Sequence, residues 1–279
     1  MLMQTLIPET TLATGMKIFC LRQEEVPILY EQIQDYFKNG IEVHEGDTVF
    51  DVGANIGLFT LWTYQLCNKN VSVYAFEPIP AVFEVLRCNA QRFDPEKLRV
   101  FPCGLSQESK TITFAYHPNA TALSNAYPEG AKESREQLKG AILRNLKDAP
   151  PFLRWLRWFP AFLRPFILDQ QSGKAFQIEL VTCQLRTLSD MVREQNVQQI
   201  DLLKVDVEKS ELDVFLGIEE QDWPKVKQVV VEVHDLDGRV EKIASLLKAN
   251  GLSKITVEQE PLFKGSNIFS LYALRGNSE

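Results

Sequence analysis

The stretch VFDVGANIGLFT, residues 49–60, decides the fold class of this chain. Its first residues are typical of a short strand, its middle is rich in glycine, and apolar residues at helical spacing follow. Gly53 and Gly57 have no Cβ, so the backbone of this turn could approach a ligand closely. We expect Asp51, at the carboxyl end of the strand, to face the same crevice. The pattern predicts a ligand-binding strand–turn–helix unit.

A second acidic residue follows at the end of the next predicted strand, in YAFEPIP, residues 74–80. Glu77 lies 20 residues beyond Gly57, the spacing at which a carboxylate can bind both hydroxyls of a ribose. The glycines are spaced as GANIG, which departs from the GxGxxG fingerprint of dinucleotide-binding folds. The pattern therefore favours a nucleoside ligand that has no pyrophosphate.

Strands and helices alternate on both sides of residues 117–175, which predicts a parallel sheet with right-handed crossovers. Two strands near the C-terminus, residues 254–258 and 267–274, are expected to pair antiparallel at the sheet edge. We predict an α/β fold: a Rossmann-like, doubly wound, mostly parallel sheet of seven strands. Residues 1–45 are expected to form an N-terminal helical appendage. Residues 46–279 are expected to form the main domain, with a helical lid insertion at about 117–175.

The composition narrows the classes of partner. The chain has 279 residues and a net charge of -7, whereas nucleic-acid-binding domains are usually basic, so no nucleic-acid partner is expected. We see no apolar run long enough to span a bilayer and no secretory signal pattern. Five scattered cysteines without close spacing are typical of a reducing compartment. We therefore expect a cytoplasmic protein.

Four motifs occur in the order and at the spacings of a known family: VFDVGANIGLFT, FEPIPAVFEVLRCNA, DLLKVDVEKSELDV and VVVEVHD. They resemble the FkbM-type S-adenosylmethionine-dependent methyltransferases over roughly residues 45–275, outside the insertion. Many relatives have Glu-Gly-Ala-Glu where this chain has Glu-Lys-Ser-Glu at 208–211. This version is most similar to O-methyltransferase domains of modular polyketide and nonribosomal-peptide synthases. The resemblance implies a class I methyltransferase fold with S-adenosylmethionine as cofactor.

The resemblance also implies which residues hold that cofactor. Those expected at its methionine end and reactive methyl group are Asp51, Gly53, Asn55, Gly57 and Asp206. Those expected at its ribose and adenine are Glu77, Pro78, Cys103 and Gly104. For Cys103, ordinary packing in the core is an equally good interpretation.

Ionisable residues cluster after two further strands: Asp206 and Glu208 follow one, and Glu232 and His234 end the other. A histidine can remove the proton of an acceptor alcohol while the alcohol oxygen attacks a methyl group in line. We predict His234 as this general base and Glu208 as the carboxylate that orients it, with Asp206 and Glu232 as further candidates. A strand-end histidine without catalytic role is the alternative. The same cluster could hold Mg²⁺ or Mn²⁺, but no metal is expected.

The insertion has the opposite charge to the whole chain. Residues 131–174 include nine basic and four acidic residues, a net charge of +5, and their centre, PPFLRWLRWFPAFLRPF, is rich in arginine and aromatic rings. Such a lid would suit an acidic acyl or peptidyl carrier protein that presents its substrate on a phosphopantetheine arm. The alternatives are a solvated lid without a charged partner and, less expected, contact of Trp155, Trp158 and Phe159 with a membrane surface.

These patterns together predict an S-adenosylmethionine-dependent O-methyltransferase that acts on an aliphatic hydroxyl tethered to a carrier protein. A free sugar or another small-molecule hydroxyl is the alternative acceptor. A nicotinamide-dependent oxidoreductase is less favoured, because the GANIG turn does not have the form expected of a pyrophosphate-binding turn. A module that binds the cofactor without catalysis is also less favoured, because His234 and its neighbouring carboxylates are present.

Overall fold

The computed structural model of the chain describes residues 7–118, 139–149, 154–172 and 178–276. Its strands are β1 (Glu9–Thr11), β2 (Lys17–Phe19), β3 (Thr48–Val52), β4 (Ser72–Phe76), β5 (Leu98–Phe101), β6 (Gly104–Leu105), β7 (Lys110–Tyr116), β8 (Glu179–Arg186), β9 (Leu202–Val205), β10 (Gln228–His234), β11 (Lys254–Glu258) and β12 (Ile268–Leu274). Its α-helices are α1 (Val26–Gln32), α2 (Leu58–Leu66), α3 (Pro80–Phe93), α4 (Arg164–Ser172), α5 (Leu188–Glu194), α6 (Glu211–Leu216) and α7 (Arg239–Ala249). Short 3-10 helices cover Ile33–Phe37, Trp155–Trp158, Trp223–Lys225 and Pro261–Phe263.

The central sheet has seven strands in the order β5-β4-β3-β9-β10-β12-β11. Neighbouring strands from β5 to β10 are parallel, and β12 runs antiparallel to both β10 and β11. This topology confirms the predicted doubly wound, mostly parallel sheet and its antiparallel closing strands. The strand order reverses between β3 and β9, and folds of this kind bind ligands at the carboxyl ends of the strands beside such a reversal.

The middle strands of the sheet are buried on both faces, which explains their nearly continuous apolar sequences. In β9, Leu202, Leu203 and Val205 are fully buried. Two large clusters of apolar side chains cover the sheet, one on each side. A charged side chain in such a strand needs a specific partner, because an unpaired buried charge is costly. The buried Asp51 in β3 and Lys204 in β9 are therefore informative exceptions.

The N-terminal segment differs from the predicted helical appendage. Strands β1 and β2 form an antiparallel hairpin, and its turn contains Gly15 at a φ of 82°, a conformation that glycine adopts without strain. The helical part of the segment is an α-helix over Val26–Gln32 and continues as a 3-10 helix over Ile33–Phe37. Ile18, Val26 and Ile33 are buried in the same cluster as residues of α2. The segment is therefore an integral layer on one face of the sheet.

A small second sheet, in the order β6-β8-β7, was not predicted from the sequence. Antiparallel pairing of β7 with β8 places Tyr116 opposite Glu179, so both ends of the predicted insertion meet there. Inside the insertion, residues 139–144 are helical and α4 follows the 3-10 helix Trp155–Trp158. The helical prediction for 119–138, 150–153 and 173–177 lies outside the described residues. Of the helices that the structure describes, none is long and apolar enough to cross a membrane.

Candidate active site

The glycine turn after β3 is shaped by steric contacts that only glycine allows. Gly53 has a φ of 79°, and a Cβ at this position would lie 1.8 Å from the carbonyl oxygen of Asp206. Gly57 has a φ of 90°, and its Cβ would lie 2.7 Å from Leu86 Cδ1. Asn55 between them is also left-handed, at 49°. Helix α2 begins at Leu58, directly after Gly57 at the end of this turn.

Glu77 follows β4 and connects that strand to the glycine turn. Its Oε1 accepts a hydrogen bond from the Ile79 amide at 2.9 Å, and its Oε2 accepts one from the Asn55 amide at 3.1 Å. The side chain is buried, and burial raises its pKa to about 7 although both amides favour the charged form. The structure thus places Glu77 beside the turn, where the sequence predicts a ribose-binding carboxylate.

The residues predicted near an adenine lie next to Glu77. A Cβ on Gly104 would lie 3.5 Å from two carbons of Pro78 and 2.8 Å from Leu185 Cδ2, so this backbone passes close to the proline ring. Cys103 is buried in the same apolar cluster as Phe76, and burial raises the pKa of its thiol to about 11. Cys103 is therefore a protonated member of the core at this end of the site.

The sequence predicted that Asp51 would face the crevice. Asp51 is instead fully buried beneath the turn and presents no open carboxylate there. Its Oδ2 accepts a hydrogen bond from Thr60 Oγ1 at 2.6 Å. Its Oδ1 lies 3.1 Å from Nζ of Lys204, which also donates to the Gly53 carbonyl at 2.9 Å. Lys204 was not among the residues that the sequence motifs indicated. The available signal was a lysine inside the apolar strand IDLLKV, where a buried charge needs a partner.

Asp206, just after β9, is the partly exposed acid of this group. Its Oδ2 accepts a hydrogen bond from the Tyr36 hydroxyl at 2.9 Å and lies 3.9 Å from Lys204 Nζ. Tyr36 belongs to the 3-10 helix of the N-terminal segment and packs edge-to-face on Phe59 of α2. Its neighbour Phe37 stacks on the same ring. The N-terminal segment therefore covers the site at the carboxyl ends of β3 and β9.

His234, the last residue of β10, lies between two carboxylates. Its Nδ1 is 2.8 Å from Glu211 Oε1, and its Nε2 is 3.3 Å from Glu208 Oε2. Burial lowers the pKa of His234, but the charges of Glu208 and Glu211 outweigh burial and raise it to about 9. The sequence predicted Glu208 as the orienting carboxylate. The shorter contact is made by Glu211, which the sequence pattern did not indicate.

A left-handed bend brings these groups together. Glu208 and Lys209 have φ values of 48° and 78°, and strained backbone of this kind is concentrated at functional sites. The bend reverses the chain, so that Glu208 meets the ring of His234 from one side and Glu211, in the first turn of α6, meets it from the other.

Glu232 completes the cluster at the end of β10. Burial and the neighbouring charge of Asp206 raise its pKa well above the usual value. One ligand atom each of Glu208, Glu232 and His234 lies within 4.8 Å of the others, close enough for a shared divalent cation. The structure thus brings all four predicted acceptor-side residues to the carboxyl ends of β9 and β10.

The sheet order and a site at the carboxyl ends of its middle strands define a class I methyltransferase. The crystal structure of methyltransferase FkbM from Methylobacillus flagellatus has the same fold, with a TM-score of 0.53 at 13% identity over 88% of this chain and 47% of that one. Residues 51–253 match the family model described as the methyltransferase FkbM domain. The chain therefore belongs to the FkbM methyltransferase family, as the sequence motifs predicted.

Two curated relatives extend this similarity over nearly the whole chain. The chain is 35% identical over 276 residues to the 31-O-demethyl-FK506 methyltransferase FkbM of Streptomyces tacrolimicus, covering 98% of this chain and 99% of that protein. It is 30% identical over 276 residues to the AMB antimetabolite synthetase AmbE of Pseudomonas aeruginosa, covering 96% of this chain. The match spans only 12% of that synthetase.

Proposed function

We propose that this methyltransferase transfers a methyl group from S-adenosylmethionine to an aliphatic hydroxyl. The observation that carries the proposal is the position of His234, held by Glu211, at the carboxyl end of β10, two strands from the glycine turn. A base at this position can remove the proton of an acceptor hydroxyl that approaches the methyl donor from the open side of the site. The relative that is 35% identical is named a 31-O-demethyl-FK506 methyltransferase, and the O in this name supports the choice of an oxygen atom as the acceptor.

The donor side of the site fits a nucleoside that has an amino-acid tail. The backbone at Gly53 and Asn55 and the carboxylate of Asp206 would hold the tail, and the buried Asp51 would support the turn from below through Lys204. Glu77 would bind the ribose, and Pro78, Cys103 and Gly104 would contact the adenine. When bound, S-adenosylmethionine supplies an electrophilic methyl group, which the acceptor oxygen takes by in-line displacement.

His234 has the partners that a general base needs. The pKa of Glu211 is lowered: burial raises it, but the hydrogen bond with His234, the charge of His234 and hydrogen bonds from backbone amides together outweigh burial. An ionised carboxylate only accepts hydrogen bonds, so Nδ1 of His234 carries a proton and Nε2 is the atom that faces the acceptor. Nε2 takes the hydroxyl proton, and Glu208 and Glu211 stabilise the resulting imidazolium.

A divalent cation is the second mechanism that an observation favours. Glu208, Glu232 and His234 would then act as ligands, and His234 could not serve as the base. The two mechanisms differ in their dependence on metal. We expect methyl transfer to survive exhaustive chelation with EDTA. Loss of activity that added Mg²⁺ or Mn²⁺ restores would support the metal mechanism instead.

Product mass spectrometry on a panel of acceptors tests the function itself. The panel contains β-hydroxyacyl carrier proteins, the matching free hydroxy acids, and sugars, each incubated with S-adenosylmethionine. We expect a mass gain of one methylene on a hydroxyl-bearing acceptor, formed far more slowly by His234→Ala. Methylation only of a nitrogen or carbon atom would contradict the proposed O-methyl transfer. Methylation of free sugars alone would favour the alternative acceptor class.

For the partner, we propose an acidic carrier protein that docks on the lid segment, residues 117–175. The described part of this segment is attached to the turn between β11 and β12. Asn145 Nδ2 donates to the carbonyls of Leu262 and Lys264, and Leu146 and Leu156 pack in one cluster with Leu262. Glu260, in the same turn, is close enough to Asp206 for the two charges to interact. The lid segment therefore borders the acceptor side of the site.

The outer surface of the lid segment has apolar rings among arginines. Trp158, Phe162 and Phe166 are 78%, 79% and 65% exposed, and Arg157 lies over the ring of Trp158. Exposed apolar patches of this kind mark interaction sites, and the basic charge complements an acidic partner. A carrier protein would bring a hydroxyl on a flexible arm to the site edge.

Kinetics with tethered and free acceptors test this partner. We expect Phe162→Ser combined with Arg157→Glu to raise KM for a carrier-bound acceptor about tenfold while leaving KM for the same free acceptor unchanged. Leu66→Ser, at a 50% exposed leucine on α2, is the matched control. Equal effects on both acceptors, or binding of the wild type to lipid vesicles instead of the carrier, would contradict the proposal.

A further inference from the structure

Lys204 is a buried cation in the middle of the sheet, and the reaction described above does not use it. It lies on β9, where its Cα pairs with that of Asp51 on β3, and only 3% of the residue is exposed. Its Nζ reaches the Gly53 carbonyl at 2.9 Å and Asp51 Oδ1 at 3.1 Å. Both contacts connect β9 to the glycine turn that would hold the tail of the methyl donor.

The surroundings of Lys204 keep it charged and oriented. Burial lowers its pKa, but the charges of Asp51 and Asp206 outweigh burial and raise it. The aromatic rings of Tyr36 and Phe59 lie 5.5 and 5.8 Å from Nζ. The Tyr36 hydroxyl holds Asp206 at 2.9 Å, on the open side of the same ammonium. The Lys204 ammonium thus connects the glycine turn, the partly exposed Asp206 and the N-terminal segment.

Stability alone is a weak explanation for this arrangement. Replacing a buried ion pair by apolar residues is often neutral or stabilising, and every other residue of β9 is a buried leucine or valine. The ammonium fixes a backbone carbonyl of the turn, whereas an apolar residue would leave that carbonyl and Asp51 without a cation. A positioned backbone carbonyl, here that of Gly53, and a positioned carboxylate, here the partly exposed Asp206, are the groups that bind an amino-acid ammonium.

We propose that Lys204 is a positioning residue for the amino-acid tail of the methyl donor, fixing the Gly53 carbonyl and Asp51 while Tyr36 holds Asp206 beside them. The inference rests on the proposed function, because it assumes that the turn receives S-adenosylmethionine. It adds a specific expectation: loss of Lys204 weakens binding of the tail and leaves binding of the nucleoside unchanged.

Two ligands that differ in the tail separate these effects. S-adenosylhomocysteine has the amino-acid tail, and 5′-methylthioadenosine has the same nucleoside thioether without it. Isothermal titration calorimetry on Lys204→Met should show a loss of about tenfold or more in affinity for S-adenosylhomocysteine. Its affinity for methylthioadenosine should stay within about twofold of wild type. Lys242→Met, at an exposed lysine on α7, is the matched control and should change neither affinity.

Equal losses for both ligands, or no loss for either, would overturn the proposal, since Lys204 would then support the whole pocket or none of it. Tyr36→Phe provides the same test if Lys204→Met does not fold. It removes one hydroxyl and should weaken S-adenosylhomocysteine binding only, and equal losses for the two ligands would again overturn the proposal. A wild-type chain that binds neither ligand would instead contradict the proposed function.

Discussion

The Nδ1 atom of His234 lies 2.8 Å from Oε1 of Glu211, a fully buried carboxylate. Glu211 also accepts hydrogen bonds from the Lys209 amide at 2.7 Å and from the Arg239 guanidinium at 2.9 Å. These donors fix the carboxylate, and the carboxylate fixes the tautomer and the plane of the imidazole ring. The opposite ring nitrogen, Nε2, is thereby directed to the side where Glu208 and the acceptor would lie.

Removal of the ring tests the role of His234 directly. We expect His234→Ala to lower kcat by about 10²- to 10⁴-fold, the usual contribution of a positioned general base. The affinity for S-adenosylhomocysteine should stay close to wild type, because His234 lies on the acceptor side. Steady-state kinetics and calorimetry measure the two quantities. Unchanged turnover would exclude His234 as the base.

The rate should depend on pH through the titration of His234. Its pKa is raised to about 9, and a base acts only when deprotonated, so kcat/KM should rise with pH through that region. In Glu211→Gln the neighbouring negative charge is lost, so the pKa of His234 falls and the rise moves to lower pH. The maximal rate should fall by about tenfold, because the ring loses its orientation. A pH–rate profile that does not move would contradict this pairing.

Gly53 and Gly15 have nearly the same backbone conformation, so alanine substitutions at the two positions distinguish the cost of a steric clash from the cost of backbone strain. Gly53 and Gly15 have φ values of 79° and 82°, but a Cβ would lie 1.8 Å from a carbonyl oxygen at Gly53 and would meet nothing within 4 Å at Gly15. Gly15→Ala should cost about 1–2 kcal/mol, the strain of left-handed backbone. Gly53→Ala should be more destabilising and should abolish S-adenosylhomocysteine binding. Thermal unfolding and calorimetry check both, and similar losses in the two variants would refute the steric account.

Glu77 should make stability depend on pH. Its pKa is about 7 in the folded protein, raised from 4.5 mainly by burial. Between about 4.5 and about 7 the folded state therefore binds more protons than the unfolded state, so the stability this contributes falls as pH rises from about 4.5 and is lost once pH passes about 7. Between about pH 6 and about pH 8 the loss is roughly 1 kcal/mol. The fall in Tm over this range should be smaller in Glu77→Gln, and an identical fall would contradict the assignment.

The sequence was sufficient to predict what depends on local pattern. The GANIG turn, the carboxylate at Glu77 and the closing pair β11–β12 each follow from spacing and composition within a short window. The alternation of strands and helices then restricts the topology to a doubly wound sheet. For this reason the amino-acid sequence predicts the seven-stranded fold, whereas the family is predicted by the resemblance of four motifs to those of known methyltransferases.

What the sequence did not reveal depends on contacts between distant residues. Pairing of β7 with β8 joins segments more than 60 residues apart. No short turn connects these two strands, so the local sequence does not indicate that they pair. The choice between Glu208 and Glu211 at His234 depends on left-handed backbone at Glu208 and Lys209, which residue type alone does not predict. The Tyr36–Asp206 contact spans 170 residues and depends on how the N-terminal segment packs.

The central claim is that the glycine turn and Glu77 form the site of a nucleoside methyl donor. Calorimetric titration of the wild-type chain with S-adenosylhomocysteine and, separately, with NAD tests it most directly. We predict one-to-one binding of S-adenosylhomocysteine, no detectable binding of NAD, and a loss of about tenfold or more in Glu77→Ala. Binding of NAD without S-adenosylhomocysteine, or unchanged affinity in Glu77→Ala, would contradict the claim.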